Sequence, residues 1–478
     1  MANLLNRLPS LSWLYKISGL ASLYNTGRDA WLIIICRTCR MFAFGAVSLI
    51  IALFFAELGF SDFRIGLFMS LTLLGDVVLG VLVTLMADGL GRRRVILAGG
   101  MLMAISGAVF YTFENFWILL IAATVGVVSA GGGDFGPFRA IEESMLSHIT
   151  TLDTRAHVLS WYVTASSLGA AVGTEVAGRF FEVLSKREGW STVGVYHATF
   201  LIYVIMGGLN VVLALSLSSK CEISDSEESP GESAQRLLDE DEEDIHSDQT
   251  SASMKPKSRF SRISSPTRSV MYKLWFLLTI DSLADGMVSQ TLTNFFLARK
   301  FDLSKAALGD IMSTALVLAT VSTVFAGPLA HQIGLLNTMV FTHLPSSAAV
   351  LLFPFPSGLV LTTMLLYVRM GLNNMDQAPR AAFIAAIVKP EERTAVMGIT
   401  SALRTLSMTL GPSLTGGLAD KGKFWIAFVL AGSLRIMYDM GLWAMFVNMR
   451  LHGNKDIGPE PGRPRNSGDE EEPEQVPL

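Results

Sequence analysis

Arg37 and Arg40 stand three residues apart inside one apolar run, and Asp281 and Asp285 stand four apart inside another. At those spacings each pair shares a helical face. Charged side chains in such surroundings are costly, and they face a cavity or a partner. A guanidinium placed there can bind an anionic or polar group of a ligand. A carboxylate can carry a proton, because burial raises its pKa and a nearby arginine lowers it, so that pairing and unpairing switch its protonation. The same residues admit a plainer role, a permanent buried ion pair that fixes helix register.

Other apolar runs carry charge too. Arg369 and Arg404 are candidate further ligands for an anion. Asp76 reads equally well as a proton site and as an acceptor of an interhelical hydrogen bond. Arg435 and Asp439, at i and i+4, are expected to satisfy one another. No metal-ligand cluster, catalytic triad or nucleotide motif appears, so the sequence points to no enzyme, no cofactor, no nucleic-acid partner and no ATP-driven pump. Gly131-Gly132-Gly133 lacks the Lys-Ser/Thr continuation of a phosphate loop and reads as helix packing or a bend. Cys36 and Cys39 form a CxxC without a surrounding βαβ pattern and read as small core residues.

The composition says what must hold these residues in place. The chain has 478 residues, 51% hydrophobic and 16% charged, and its mean hydropathy is +0.45. Apolar runs of roughly 20 residues recur, the length that crosses a hydrocarbon core. This is the pattern of an all-α polytopic membrane protein with about twelve transmembrane helices. They are expected near 30–56, 65–86, 94–112, 116–137, 156–180 and 196–217, then 273–297, 307–329, 336–354, 358–378, 394–418 and 424–448. The formal net charge of -4 says little about partners, because charge is segregated into loops and tails.

Residues 1–29 are read as a cytoplasmic N-terminal segment with no cleavable-signal pattern, whose Leu4, Leu5, Leu8, Leu11 and Trp13 suit a short interfacial helix. Six-helix bundles over 30–217 and 273–450 flank a linker, 218–272, and a polar acidic tail follows over 451–478. The linker holds the acidic run Asp239 to Asp244 and then turns basic at Lys255, Lys257, Arg259, Arg262 and Arg268. Such a composition cannot bury enough apolar area to offset its ordering entropy, so disorder is expected in linker and tail. Ser224, Ser226, Ser229 and Ser265 are candidate kinase sites. A passive tether between the bundles is the alternative.

The two halves repeat one another. Ala43-Phe44-Gly45-Ala46-Val47-Ser48 lines up with Ala284-Asp285-Gly286-Met287-Val288-Ser289, which places Asp281 opposite Arg40. Asp134-Phe135-Gly136-Pro137 matches Asp376-Gln377-Ala378-Pro379, and Arg155 with Gly173 matches Arg393 with Gly411. A series of matches in one order marks a duplicated six-span unit.

Between the second and third runs lies Asp88-Gly89-Leu90-Gly91-Arg92-Arg93-Arg94. Its arginines belong at a membrane face, and the excess of Lys and Arg on cytoplasmic connections places it, the linker and both termini inside the cell. The turn resembles the signature of the major facilitator superfamily, commonly written G-x-x-x-D-[RK]-x-G-R-[RK]. Asp88, Gly91, Arg92 and Arg93 match, whereas Thr84 stands for the first glycine and Gly89 for the basic residue. The second-half counterpart, His331-Gln332-Ile333-Gly334-Leu335, keeps the glycine without the charges, and His331 reads as a solvated loop histidine. GPFRAIEESML and NNMDQAPRAAFI also resemble fungal members of uncharacterised substrate.

The resemblance covers residues from about 30 to 450 and implies two pseudo-symmetric six-helix bundles around a midplane cavity, lined by the first and seventh spans. It implies a monomeric secondary transporter, in a plasma or vacuolar membrane, that moves a small-molecule substrate by alternating access with protons as the coupling ion. Arg37, Arg40, Arg369 and Arg404 are then expected to bind substrate, with Arg40 pairing with Asp281 across the cavity. Asp281, Asp285 and Asp76 are expected to couple protons. Asp88, Gly91, Arg92, Arg93, Arg139 and Glu142, with Glu143, are expected to form a cytoplasmic gate. The substrate's charge stays open among anion, zwitterion and cation. The alternative function is a non-transporting sensor that signals through the central segment.

Overall fold

The computed structural model describes residues 20–126, 128, 137–222, 265–388 and 392–447, and the described residues form helices and no strand. Unbroken helices fill eight of the expected positions: span 1, Arg28–Glu57; span 2, Asp62–Leu90; span 3, Arg92–Thr112; span 5, Leu152–Ser185; span 8, Lys305–Ile333; span 9, Leu335–Leu352; span 11, Arg393–Asp420; and span 12, Phe424–Phe446. Three come in pieces: span 6, Thr192–Thr199 and Leu201–Leu215; span 7, Ser265–Met287 and Gln290–Phe301; and span 10, Leu359–Asn373 and Gln377–Ile387 about a short turn. Span 4 is described as a helix over Phe116–Val125, and a further helix, Pro137–Ile149, begins where the expected span ends. Among the described residues, seven helices are long and apolar enough to cross a membrane. Asp134, the three-glycine run, most of the central segment and the C-terminal tail lie outside the described residues.

Span 7 departs from expectation twice. Its helix begins at Ser265, inside the stretch read as linker, and it breaks after Met287 instead of running through to residue 297. A break at this depth frees carbonyls that lipid cannot satisfy. Here side chains take them: Thr415 donates to the Met287 carbonyl at 2.7 Å, and Thr293 and Arg369 donate to that of Val288. Ser289 then caps the second piece.

The repeat extends to the way helices cross. Span 1 packs so closely on span 5 at Gly45 that a Cβ there would lie 2.0 Å from the Ala170 carbonyl oxygen. Span 7 meets span 11 in the same way, with a Cβ on Gly286 falling 2.2 Å from the Met408 carbonyl oxygen. Small residues let backbones approach where lipid supplies no hydrophobic drive. Gly91 and Gly334 each divide two helices at φ 91° and 87°, a region that glycine alone enters at little cost. Arg155 and Arg393 each donate back to a carbonyl near the end of the preceding helix, those of Ser147 and Val388.

The buried apolar side chains show how the halves meet. At the end far from the Asp88–Arg94 turn they form one core, with Phe54, Phe55 and Phe68 of the first half joined to Phe295 and Phe296 of the second. At the turn end there are two cores, one within each half. The far end is also stitched by Arg299 to Asp62, Arg179 to Asp310 at 2.6 Å, and Ser413 to Ser70 at 2.7 Å. Toward the turn, Val81 and Met86 of span 2 and Val324 and Phe325 of span 8 are exposed.

Candidate functional site

A cavity of about 380 Å³ lies between the halves, with Arg37, Arg139 and Ser167 on one wall and Asp285, Arg369, Asn373 and Arg404 on the other. Its size suits a small solute.

On the first wall, the Arg37 guanidinium lies 4.4 Å from the Tyr162 ring centroid and donates to its hydroxyl at 2.9 Å. Tyr162 in turn donates to Glu142 Oε2 at 2.8 Å, and Arg40 pairs with Glu142 Oε1. Glu142 is fully buried. It stands behind the wall as counter-ion to both arginines. Its neighbour Arg139 is half exposed, lines the cavity and pairs with Glu143 at 2.7 Å.

Arg40 and Asp281 do not meet. Arg40 is held by Glu142 within its own half, while Asp281 faces Arg380 at 3.5 Å and His343 at 3.6 Å within the other. Each of these two charges is met by a partner on a neighbouring helix of its own half, which leaves neither to pair across the gap. The residues one turn away, Arg37 and Asp285, are the ones on the walls.

Behind the second wall runs a connected polar network. Asp285 accepts from Arg435 Nη1 at 2.8 Å, and Asn373 accepts from Arg435 Nη2. The same Nη2 lies 2.7 Å from Nε2 of His343, whose Nδ1 is 2.7 Å from Asp439. Because an arginine can only donate, Nε2 is the acceptor in this contact, and Nδ1 is left to donate to Asp439. Ser347 donates to the other Asp439 oxygen at 2.8 Å. Arg435 and Asp439 thus do not satisfy one another as their spacing suggested. His343 stands between them and recruits each separately.

Arg369 and Arg404 take neutral partners. Arg369 donates to the Thr293 hydroxyl at 2.9 Å and to the Val288 carbonyl, which makes it a cap for the first piece of span 7. A cation at a helix C-terminus also suits the dipole. Arg404 Nε donates to the Ser282 hydroxyl at 3.2 Å. Asp76 is buried in span 2 and is not among the residues lining this cavity.

At the turn, Gly91 ends span 2 and the backbone amides of Arg92 and Arg93 donate to the Glu222 carboxylate at 2.8 and 3.1 Å. An acidic side chain on a helix N-terminus is favourable. Ser218 donates its amide to Asp29 at 3.0 Å, and between these contacts Cys221 is buried, its thiol pushed up to about 12 by desolvation with Asp29 adding to it. The Asp88 side chain lies outside the described residues, and His331 is exposed.

Sequence reasoning missed His343 and Glu222. His343 is an ionisable residue in an apolar run and carries the same signal as Asp76. Its partners come from spans 7 and 12, however, and no local spacing reveals them. Glu222 looked like one acid among many at the start of the linker.

The family model of the Major Facilitator Superfamily matches residues 33–267 and 274–475. An uncharacterized membrane protein of Saccharomyces cerevisiae is 31% identical over 433 residues, covering 88% of this chain and 95% of the relative. Among solved structures, the nucleoside transporter NupG superposes with a TM-score of 0.64 at 14% identity, covering 88% of this chain and 99% of that one. A bacterial homologue of the human drug peptide transporters PepT1 and PepT2 gives 0.65 at 14% identity, covering 87% and 97%. At such identities the likeness is one of fold.

Proposed function

The chain belongs to the Major Facilitator Superfamily of transporters, an integral multi-pass membrane protein that takes a small-molecule substrate, and from that premise we propose that it works by alternating access coupled to protons. The observation that carries this reading is the division of the core. The halves share one core at the far end and keep separate cores at the turn end, with a charged cavity between them. This is the arrangement of a transporter closed on one side and open on the other. The excess of Lys and Arg at the turn supports a cytoplasmic turn face and cytoplasmic termini, and in that orientation the cavity faces inward.

In this reading Arg37 touches substrate on the first wall, with Arg40 and Glu142 holding it in place. Asn373 touches it on the second. Substrate that engages Asn373 draws Arg435 away from His343. With Arg435 withdrawn, Nε2 is open to a proton, and Asp439 and Asp281 are placed to hold the charge. The groups facing His343 are Asp281 of span 7, Ser347 of its own helix, and Arg435, Tyr438 and Asp439 of span 12, with Arg380 of span 10 on the other side of Asp281. Loading of substrate and of proton then favour each other, which gives symport. Asp76 is a second proton site, and Asp88, Gly91, Arg92, Arg93 and Arg139 form the gate that closes the cytoplasmic side. The chain acts as a monomer in the plasma or vacuolar membrane, and kinases acting on the central segment would tune the gate.

Purified protein in proteoliposomes, acidified outside and loaded with buffer inside, tests the reading through a panel of labelled nutrients. Solute uptake that collapses with a protonophore is expected; uptake indifferent to the gradient would remove the coupling. Deleting residues 223–264 separates transport from sensing, since a transporter keeps its uptake and a sensor loses its output.

A further inference from the structure

Two cations on the second wall form no ion pair among the described residues. Arg404 makes one described side-chain hydrogen bond, to the Ser282 hydroxyl. Arg369, 7% exposed, donates only to the Thr293 hydroxyl and the Val288 carbonyl. The four buried or cavity-lining aspartates of the same half are engaged elsewhere. Asp285 holds Arg435, Asp376 and Asp281 face Arg380, and Asp439 holds His343 and Ser347.

Taking a guanidinium out of water without a counter-ion is costly. A hydroxyl or a carbonyl offsets part of that cost without supplying the missing charge. Both side chains line the cavity, where a ligand can supply it. We propose that the substrate is a small oxyanion, a carboxylate or a phosphate ester, whose negative charge is taken by Arg404 and Arg369. The planar guanidinium fork suits both kinds of oxyanion. Thr320, Thr323, Asn374 and Gln377 on the same wall offer hydrogen bonds to the rest of a polar solute. A cationic substrate would find on this wall only Asp285, already occupied by Arg435 at 2.8 Å, and the amine of a zwitterion would meet the same obstacle.

This assignment rests on the transporter reading, and ligand binding to the detergent-purified full chain tests it apart from movement. Thermal unfolding is followed with a panel of carboxylates headed by succinate, a panel of phosphate esters headed by glycerol 3-phosphate, neutral glycerol and cationic choline, all at one ionic strength. Oxyanions of at least one panel are expected to raise the midpoint in a saturable way, and the responding panel tells carboxylate from phosphate. Arg404→Gln should weaken that binding at least tenfold, Arg404→Lys should weaken it less, and Arg187→Gln, in an exposed connection, should leave it unchanged. Arg369 also caps the span 7 break, so its variants serve only where their unliganded midpoint matches the parent. Stabilisation by choline or glycerol, by no compound, or equally in Arg404→Gln would overturn the assignment. If oxyanions bind through Arg404 but are not moved by the reconstituted protein, the transport reading fails and the binding site stands. If a cation is moved instead, the reverse holds.

Discussion

Arg435 Nη2 lies 2.7 Å from His343 Nε2, and this contact ties the cavity wall to the buried centre of the second half. Both side chains are nearly inaccessible to solvent. Arg435 also holds Asp285 and Asn373, which line the cavity. A movement of substrate against Asn373 therefore reaches His343 through one guanidinium.

Replacing His343 with Gln should separate proton-driven transport from exchange. Gradient-driven uptake is expected to fall by about a hundredfold, the scale on which a positioned proton-transfer group acts. Counterflow of solute, which needs no net proton movement, should survive. Equal loss of both would mean that His343 only holds the bundle together.

The repeated glycine crossings set stability. Gly45→Val and Gly286→Val drive side-chain atoms into carbonyl oxygens on spans 5 and 11, and each should cost about 1–3 kcal/mol or more, as overpacking does. Gly208→Ala, with nothing within 4 Å of the added Cβ, should be neutral or stabilising by roughly 0.5–1 kcal/mol through helix propensity. Thermal midpoints of the purified variants check both.

Gly334→Ala probes the second copy of the turn. At φ 87° and ψ 160° the position is in a region essentially reserved for glycine, and about 1–3 kcal/mol of strain is expected. A variant as stable as the parent would show that the two turns do not need the same backbone conformation.

Cys221 reports on the Glu222 and Asp29 contacts at the turn face. Its thiol is raised from 9.0 to about 12, so little thiolate exists at pH 7 and maleimide labelling should be slow. Glu222→Ala and Asp29→Ala should accelerate it. The raised value also fixes a sign: the stabilisation is complete below pH 9, where the unfolded thiol titrates, and is lost as pH climbs toward 12. Fast labelling of the parent at pH 7 would contradict the buried placement.

The ion pairs at the far end, Arg299 with Asp62 and Arg179 with Asp310, are too exposed to stabilise the fold much. They join the two halves, however, so that small energy acts on the balance between conformations. Asp62→Asn with Asp310→Asn should raise the reactivity of a cysteine placed at Ser70 on the far side of the cavity, with little change in thermal midpoint.

What the sequence revealed and what it concealed follow from distance along the chain. Spans, repeat and turn were legible because apolar runs, Gly45 against Gly286, and Arg92 to Arg94 are local patterns with one physical meaning each. The pairing of charges was not. Arg40 meets Glu142 102 residues away, and His343 meets Asp439 96 residues away. Repeat symmetry suggested Arg40 with Asp281, but symmetry relates the environments of two residues without bringing them together. The i, i+4 spacing of Arg435 and Asp439 likewise gave way to His343, which offers each a better-placed partner. Arg37, Asp285, Arg369 and Arg404 were identified from intramembrane charge alone, and all four line the cavity.

Uptake of labelled oxyanions into proteoliposomes with an inward proton gradient, compared between the parent and Arg404→Gln, tests the central claim most directly. Saturable uptake by the parent, abolished by a protonophore and reduced at least tenfold in the variant, is the predicted result. Uptake no greater than that of empty liposomes across both oxyanion panels, or uptake equal in parent and variant, would contradict it.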